Sequence, residues 1–274
     1  MPELPEVETL VVELRRVLEN QKIAKVEVFN DSILETPRAI LERKLPGKKI
    51  VQIGRVGKYI RIDLTGDLIL WFHLGMTGQI LFEESHPTLS PHTHLILSFG
   101  GSEQCLFYRD IRRFGRISLT SSMNTNDPGG IHHLGLEPSE WDKESFASQF
   151  KERRARIKNL LLNQRFIAGL GNIYADESLH RAGIHPLKRA RQVSRHKLAR
   201  LHESICEVLE QATHWGGSSI DDYIHLDGTK GRFQRFHRVY GRTGQNCLTC
   251  GAVIKKIRLS GRSSSFCPEC QPYR

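Results

Sequence analysis

Residues 247–270 read CLTCGAVIKKIRLSGRSSSFCPEC. Two Cys-x-x-Cys pairs, Cys247 with Cys250 and Cys267 with Cys270, are separated by 16 residues. Each pair sets two sulfurs on one edge of a tetrahedron while the intervening chain returns as a hairpin, which is the spacing of a tetrathiolate zinc site. The competing readings are two disulfides or free thiols. The chain opens MPELPEVETL, with neither a basic n-region nor an apolar h-region. No secretory signal is read there, so a cytoplasmic setting is expected and structural disulfides are disfavoured. One Zn2+ closed by four thiolates keeps no open coordination position, so the ion is expected to be structural. Gly261-Arg262 falls near the hairpin tip, where Arg262 is either held rigidly outward or is one more solvated cation. Cys105 and Cys206 lie in apolar runs and read as core residues.

Upstream of this module the pattern is helical. Helices are predicted over 142–150, 153–163, 172–182 and 195–214, with Asn172 and Ser194 as caps of the last two. Gly216-Gly217-Ser218-Ser219 interrupts before the basic C-terminal segment. Residues 121–140, rich in Ser, Asn, Gly and Pro, read as loop. Before them stand short β-type runs at 22–29, 49–56, 58–64, 67–73, 78–83, 93–99, 104–109 and 115–120. Several alternate, as in Tyr59-Ile60-Arg61-Ile62-Asp63-Leu64, and many short strands with Gly punctuation predict a sandwich or barrel. At the N-terminus Val7, Leu10, Val11, Leu14 and Leu18 share one helical face, giving a helix over 5–19 with Pro5 in its first turn.

The chain has 274 residues and a formal net charge of +10. No run of 18 apolar residues marks a membrane helix, and 39% hydrophobic content excludes a disordered tail protein. The charge is uneven: residues 1–150 are net −3 and residues 151–274 net +13. Within the second part 151–200 carry +10, 201–225 carry −5 and 226–274 carry +8. An excess spread over the whole chain would serve solubility alone. One confined to half of it points to a polyanion, nucleic acid ahead of a membrane surface.

Pro2 follows the initiator Met, whose removal would expose a secondary amine. An α-amino group titrates near pH 8 and is partly unprotonated at neutrality, and the positive end of the following helix disfavours its protonated form further. Glu3 and Glu6 beside it read, on composition alone, as ordinary helix-start acids. Here PELPEVET at 2–9 resembles the N-terminal signature of formamidopyrimidine-DNA glycosylases. The resemblance runs through GKYI at 57–60, HLGMTGQI at 73–80, His92-x-His94, RDIRRFGR at 109–116, GLGNIYADESL at 169–179, GGSS at 216–219 and the cysteine module, so it covers nearly the whole chain. The family's oxidised-pyrimidine relatives begin Pro-Glu-Gly-Pro, and Leu4 favours the oxidised-purine branch.

The resemblance implies an α+β multidomain protein. Its parts are an N-terminal β-sandwich with flanking helices (1–135), a helix-two-turn-helix domain (136–230) and a zinc finger (231–274). It implies a bifunctional base-excision enzyme that acts on 8-oxoguanine and formamidopyrimidines in duplex DNA and then cuts the strand. Neither a nucleotide cofactor nor a membrane is expected, and a monomer is. By resemblance Pro2 is the nucleophile, Glu3 the acid/base residue, Glu6 an organiser of the lesion site, Lys58 the proton donor of β-elimination and Arg262 the phosphate clamp of δ-elimination. Asn172, His73, His92 and Arg153 match phosphate-contacting positions, and the helix that Asn172 opens would add backbone donors. Met76, Arg112 and Phe114 match the side chains that fill the void of a flipped base, a task suited to apolar wedges. Residues 216–231 match the family's lesion-recognition loop. Two alternatives remain: an endonuclease-VIII-like glycosylase for oxidised pyrimidines, and a non-catalytic zinc-finger protein that binds damaged DNA.

Overall fold

The computed structural model describes residues 1–84, 89–121 and 128–273. Of the predicted loop at 121–140, residues 122–127 lie outside the described residues. The chain divides into two compact units: residues 1–132 with 215–232, and residues 133–214 with 233–274.

In the first unit, α1 (Leu4–Leu18) buries the predicted stripe of Val7, Leu10, Val11, Leu14 and Leu18. Full burial of each such side chain contributes roughly 1.5–3 kcal/mol before entropy is counted. Behind it stand two four-stranded antiparallel sheets. One has the order β1-β6-β7-β5, from β1 (Ile23–Val28), β5 (Gly78–Glu84), β6 (Thr93–Phe99) and β7 (Gln104–Asp110). The other has the order β2-β3-β4-β8, from β2 (Ile50–Val56), β3 (Tyr59–Leu64), β4 (Leu68–His73) and β8 (Arg116–Ser121). A single core joins α1 with inward residues of both sheets, among them Ile53, Ile62 and Phe72 from one and Ile80, Leu97 and Tyr108 from the other. All eight predicted strands form, within one or two residues at their ends. A short helix, α2 (Arg38–Lys44), has no predicted counterpart: of its seven residues only Leu41 is buried, too little for an apolar stripe.

Segment 215–232 returns to this unit after the helices of the other have been made. Tyr223 and Leu226 enter the sandwich core, and Ile224 packs on Leu81, Ile96, Cys105 and Phe107 of the second face of the β5–β7 sheet. The Phe82 N–H of β5 donates to the Leu226 carbonyl at 3.0 Å.

The second unit holds α3 (Lys143–Phe150), α4 (Ile157–Leu161), α5 (Asn172–Arg181) and α6 (Arg195–His214), then the hairpin β9 (Lys255–Leu259) and β10 (Arg262–Phe266). The helix predicted over 153–163 is shortened to α4. Residues 153–157 are drawn into backbone pairing with 188–191: Ala190 donates to Ala155 O at 2.9 Å, Arg191 to Arg153 O at 3.0 Å, and Ile157 to Lys188 O at 2.9 Å. Ser194 starts α6 as predicted, its carbonyl accepting from Leu198 N–H at 2.9 Å. Asn172 is not the cap of α5. Gly171, extended at φ −134°, ψ −156°, holds that position and Asn172 is the first helical residue. Among the described residues no helix is long and apolar enough to cross a membrane.

Candidate active site and nucleic-acid interface

Three residues at the N-terminus are packed inward before the first helical turn is complete. Pro2 is buried, Glu3 is 2% exposed and Glu6 1%. A buried carboxylate persists only if its lone pairs are filled. Glu6 meets this by bridging. Its Oε2 accepts the Glu3 N–H at 2.8 Å, half of a capping box, and its Oε1 accepts the Ser218 N–H at 2.7 Å. The second bond needs a glycine: Gly217 has φ +77°, and a Cβ there would stand 2.8 Å from Glu6 Oε1. Glu6 thus joins the backbone beside Pro2 to segment 216–231.

Lys58 sits in the two-residue Gly57-Lys58 turn between β2 and β3 and is only 6% exposed. On the neighbouring strand His73 pairs with Tyr59, their rings 4.7 Å apart. Burial first, then the Lys58 and Arg116 charges, lower the His73 pKa to about 4. The ring is neutral at pH 7. Its Nδ1 accepts from Gly75 N–H at 3.2 Å, so the proton lies on Nε2, which makes His73 an uncharged donor.

Met76 and Phe114 are exposed large apolar side chains, and Arg112 lies beside them with its guanidinium carbon 4.7 Å from the Phe114 ring centre. They leave two adjoining loops, 74–77 and 111–115, which are organised by Asp110. This carboxylate, 1% exposed, accepts from Thr77 Oγ1 at 2.5 Å, Arg112 N–H at 3.2 Å and Gly115 N–H at 2.7 Å. Gly115 is obligatory, since a Cβ would stand 1.6 Å from the Tyr108 hydroxyl. Exposed apolar side chains on a braced scaffold suit insertion into a base stack. His92 is exposed in the turn before β6, and its carbonyl accepts the Asp110 N–H at 3.0 Å.

In the second unit, Arg153 is exposed with its guanidinium carbon 5.5 Å from the Phe166 ring centre. The Asn172 Oδ1 is buried with no hydrogen-bond partner among the described residues. Arg262 is exposed directly after the Ser260-Gly261 turn of the β9–β10 hairpin, as its place near the tip predicts. The four cysteine sulfurs lie within 4.8 Å of one another, Cys247 to Cys270 at 3.8 Å and Cys250 to Cys267 at 3.4 Å. Tetrahedral Zn–S bonds of about 2.3 Å place sulfurs about 3.8 Å apart, so the set fits one zinc ion, and the cysteines are free of disulfides. The Thr249 and Cys270 N–H groups each donate to a cysteine sulfur at 3.4 Å, which favours thiolate character. Cys105 is buried as predicted, whereas Cys206 is half-buried on α6, its Sγ 3.8 Å from the Pro138 carbonyl.

The residues that hold this module are not evident from sequence. Lys158 and Asp176 form an ion pair at 2.6 Å, each side chain 1% exposed. Asp176 also accepts from Ser264 Oγ at 2.7 Å and Ser265 N–H at 2.9 Å, and Lys158 donates to Ser263 O at 3.1 Å. Burial pushes the Asp176 carboxyl up and the Lys158 ammonium opposes it. Next to it Glu177 accepts three consecutive N–H groups, from Arg238, Val239 and Tyr240, at 2.8–3.0 Å. The sequence of α5, NIYADESLHR, is largely polar, so nothing in its composition marks these two acids as buried.

Three family models match: the formamidopyrimidine-DNA glycosylase N-terminal domain at residues 1–117, its H2TH domain at 134–223, and the zinc finger found in FPG and IleRS at 244–272. A formamidopyrimidine-DNA glycosylase of Solibacter usitatus is 44% identical over 99% of both chains, and one of Desulforamulus reducens 39% over the same share. A Lactococcus lactis FPG mutant, solved with a Fapy-dG-containing DNA, superposes with TM-score 0.93 at 38% identity, over 99% of this chain and 100% of that one. The wild-type Lactococcus lactis protein, solved with an oxidised-pyrimidine-containing DNA, gives TM-score 0.91 at 38%, over 99% and 100%. Sandwich, H2TH helices and four-cysteine finger together define a base-excision DNA glycosylase with a structural zinc ion. The chain belongs to the formamidopyrimidine-DNA glycosylase family, which also has abasic-site lyase activity.

Proposed function

We propose that this chain excises 8-oxoguanine and formamidopyrimidines from duplex DNA through an N-terminal proline Schiff base and then cuts the strand by β,δ-elimination. The observation that carries the reading is the Glu6 bridge, which ties the backbone beside Pro2 to segment 216–231. The lesion must leave the helix to be attacked. With Met1 removed, the Pro2 amine attacks the anomeric carbon, and the base leaves as Glu3 supplies acid/base chemistry at the sugar. The secondary amine and the opened sugar form an iminium. This acidifies the adjacent carbon, so the 3′ phosphate is eliminated with Lys58 moving the proton. A second elimination then releases the 5′ phosphate against the Arg262 cation. Segment 216–231 closes on the extruded base. Met76, Arg112 and Phe114 fill the space it leaves, Arg112 on the unpaired cytosine edge. His73, His92, Arg153 and Asn172 take phosphates. The ordered Asn172 Oδ1 accepts only, so phosphate contact falls to its amide nitrogen.

This reading keeps the functional segments 1–135, 136–230 and 231–274, a monomer, and action in the cytoplasm on the nucleoid. The test is intact-mass measurement, to confirm an N-terminal Pro2, followed by borohydride trapping on an 8-oxoguanine:cytosine duplex. A covalent adduct that is absent in Pro2→Gly is expected. Folded protein that gives no adduct, with Pro2→Gly binding DNA equally, would establish the binding-only reading instead. A thymine-glycol duplex belongs in the same assay because the Lactococcus lactis relative has been solved with an oxidised pyrimidine. Preference for it would reassign the substrate.

A further inference from the structure

Segment 216–231 is fastened to α1 at two points, seven residues apart on the helix. Glu6 takes Ser218 N–H at one. At the other, Glu13 Oε2 accepts Leu226 N–H at 3.1 Å and Glu13 Oε1 lies 2.6 Å from His225 Nδ1. The second ring nitrogen, Nε2, lies 3.0 Å from the Gly216 carbonyl oxygen. The ring therefore links both limbs of the segment to the helix that begins behind Pro2. It packs flush against Gly216, where a Cβ would come within 2.6 Å of His225 Cε1. Asp227, next along the tip, has its own partners in Thr229 N–H and Oγ1.

A carboxylate and a carbonyl both accept and neither donates. A neutral imidazole has one N–H and satisfies one of them, whereas the imidazolium satisfies both. We propose that Glu13 and protonated His225 form a positioning clamp that holds segment 216–231 against Glu6 and lets it loosen when the ring loses its proton. The role at the lesion rests on the reading of 216–231 given under Proposed function.

The charged groups acting on the ring are Glu13 from α1 and Asp227 from its own segment, and both favour the cation. Tyr223, its ring centre 5.7 Å away, stays neutral because burial and the Glu6 and Glu13 charges push its hydroxyl far up. From the sheet side the contact is the Phe82 N–H on Leu226. The hydrogen bond that His225 donates to Glu13 raises the His225 pKa above 6.5, against burial. A raised histidine pKa contributes stability that is complete below the unfolded value and is lost as pH rises through the folded one. The clamp is therefore closed in mild acid and opens on the alkaline side.

Two measurements on the full zinc-loaded protein test this. Amide exchange at Leu226 and Ser218, corrected for intrinsic rates, is expected to show more protection at pH 6 than at pH 8.5. Glu13→Gln should lose roughly tenfold of it at pH 6, the scale of one charge-assisted bond. The second measurement is the single-turnover rate on 8-oxoguanine:cytosine divided by that on a preformed abasic site. Titrations of groups common to both reactions cancel in this ratio. It should fall with pH in the wild type and stay flat in His225→Gln, which does not titrate. Equal protection in wild type and Glu13→Gln overturns the clamp itself. Lost protection with an unchanged ratio overturns the lesion role of the segment, and the positioning role with it.

Discussion

A ring wedged beside the Lys58 ammonium and the Arg116 guanidinium takes up no second proton at neutral pH, and burial takes the His73 pKa down to about 4. The unfolded chain binds that proton near pH 6.5, so stability falls as pH drops from about 6.5 to about 4, by up to ~3 kcal/mol for this ring. In urea titrations across that window the stability of wild type relative to His73→Gln should fall as pH drops. The same neutrality separates His73 from the arginines. Arg153→Ala should reduce the salt slope of DNA binding by about one, and His73→Ala should weaken binding with the slope unchanged. At Gly217 an alanine meets both φ +77° and the Glu6 carboxylate. Gly217→Ala should cost ~1–3 kcal/mol and slow lesion excision more than abasic-site cleavage. Lys58→Ala is expected to retain some base release while losing strand cutting; unchanged nicking would remove its assigned part. At this scale the candidate site residues were named through resemblance. Their supports Asp110, Glu13 and His225 were not, because each is identified by a partner far along the chain, Thr77 for Asp110 and Glu13 and His225 for one another.

Among the elements, strands were the most legible, since alternation such as 59–64 records a half-buried face directly. One failure came where tertiary hydrogen bonds override the local pattern, and another at a helix cap. Residues 153–156 pair with 188–191 rather than coil, and Gly171 rather than Asn172 opens α5. The zinc hairpin shows the same dependence, because the turn of Asp176 and Glu177 in α5 holds both its β10 strand and the 238–240 approach to it. Lys158→Ala strands a buried carboxylate, and breaking such a pair costs ~3–5 kcal/mol. Chemical denaturation should register that loss, and the variant should bind DNA more weakly through a loosened Arg262. A double change of Lys158 and Asp176 to apolar residues is expected to recover part of the stability.

Over the whole molecule the charge asymmetry acquires a physical address. The +10 block at 151–200 contains Arg153, and the +8 block at 226–274 contains Arg262, so binding should weaken steeply with salt. Removing zinc with a chelator should abolish DNA binding well before the sandwich melts, because the first unit has its own core; global unfolding at mild chelation would contradict this. That unit is nonetheless made of two stretches of chain, 1–132 and 215–232. Translation delivers eight strands first and the pieces that complete Glu6, Tyr223 and Leu226 only after residues 133–214 have emerged. A nascent chain therefore carries Pro2 before the segment whose Ser218 N–H Glu6 accepts has been made. Ribosome-stalled chains that expose residue 132 but not 232 should be cut faster by protease within the sandwich than chains that expose both. Equal rates would mean that the sandwich matures without waiting for its last piece.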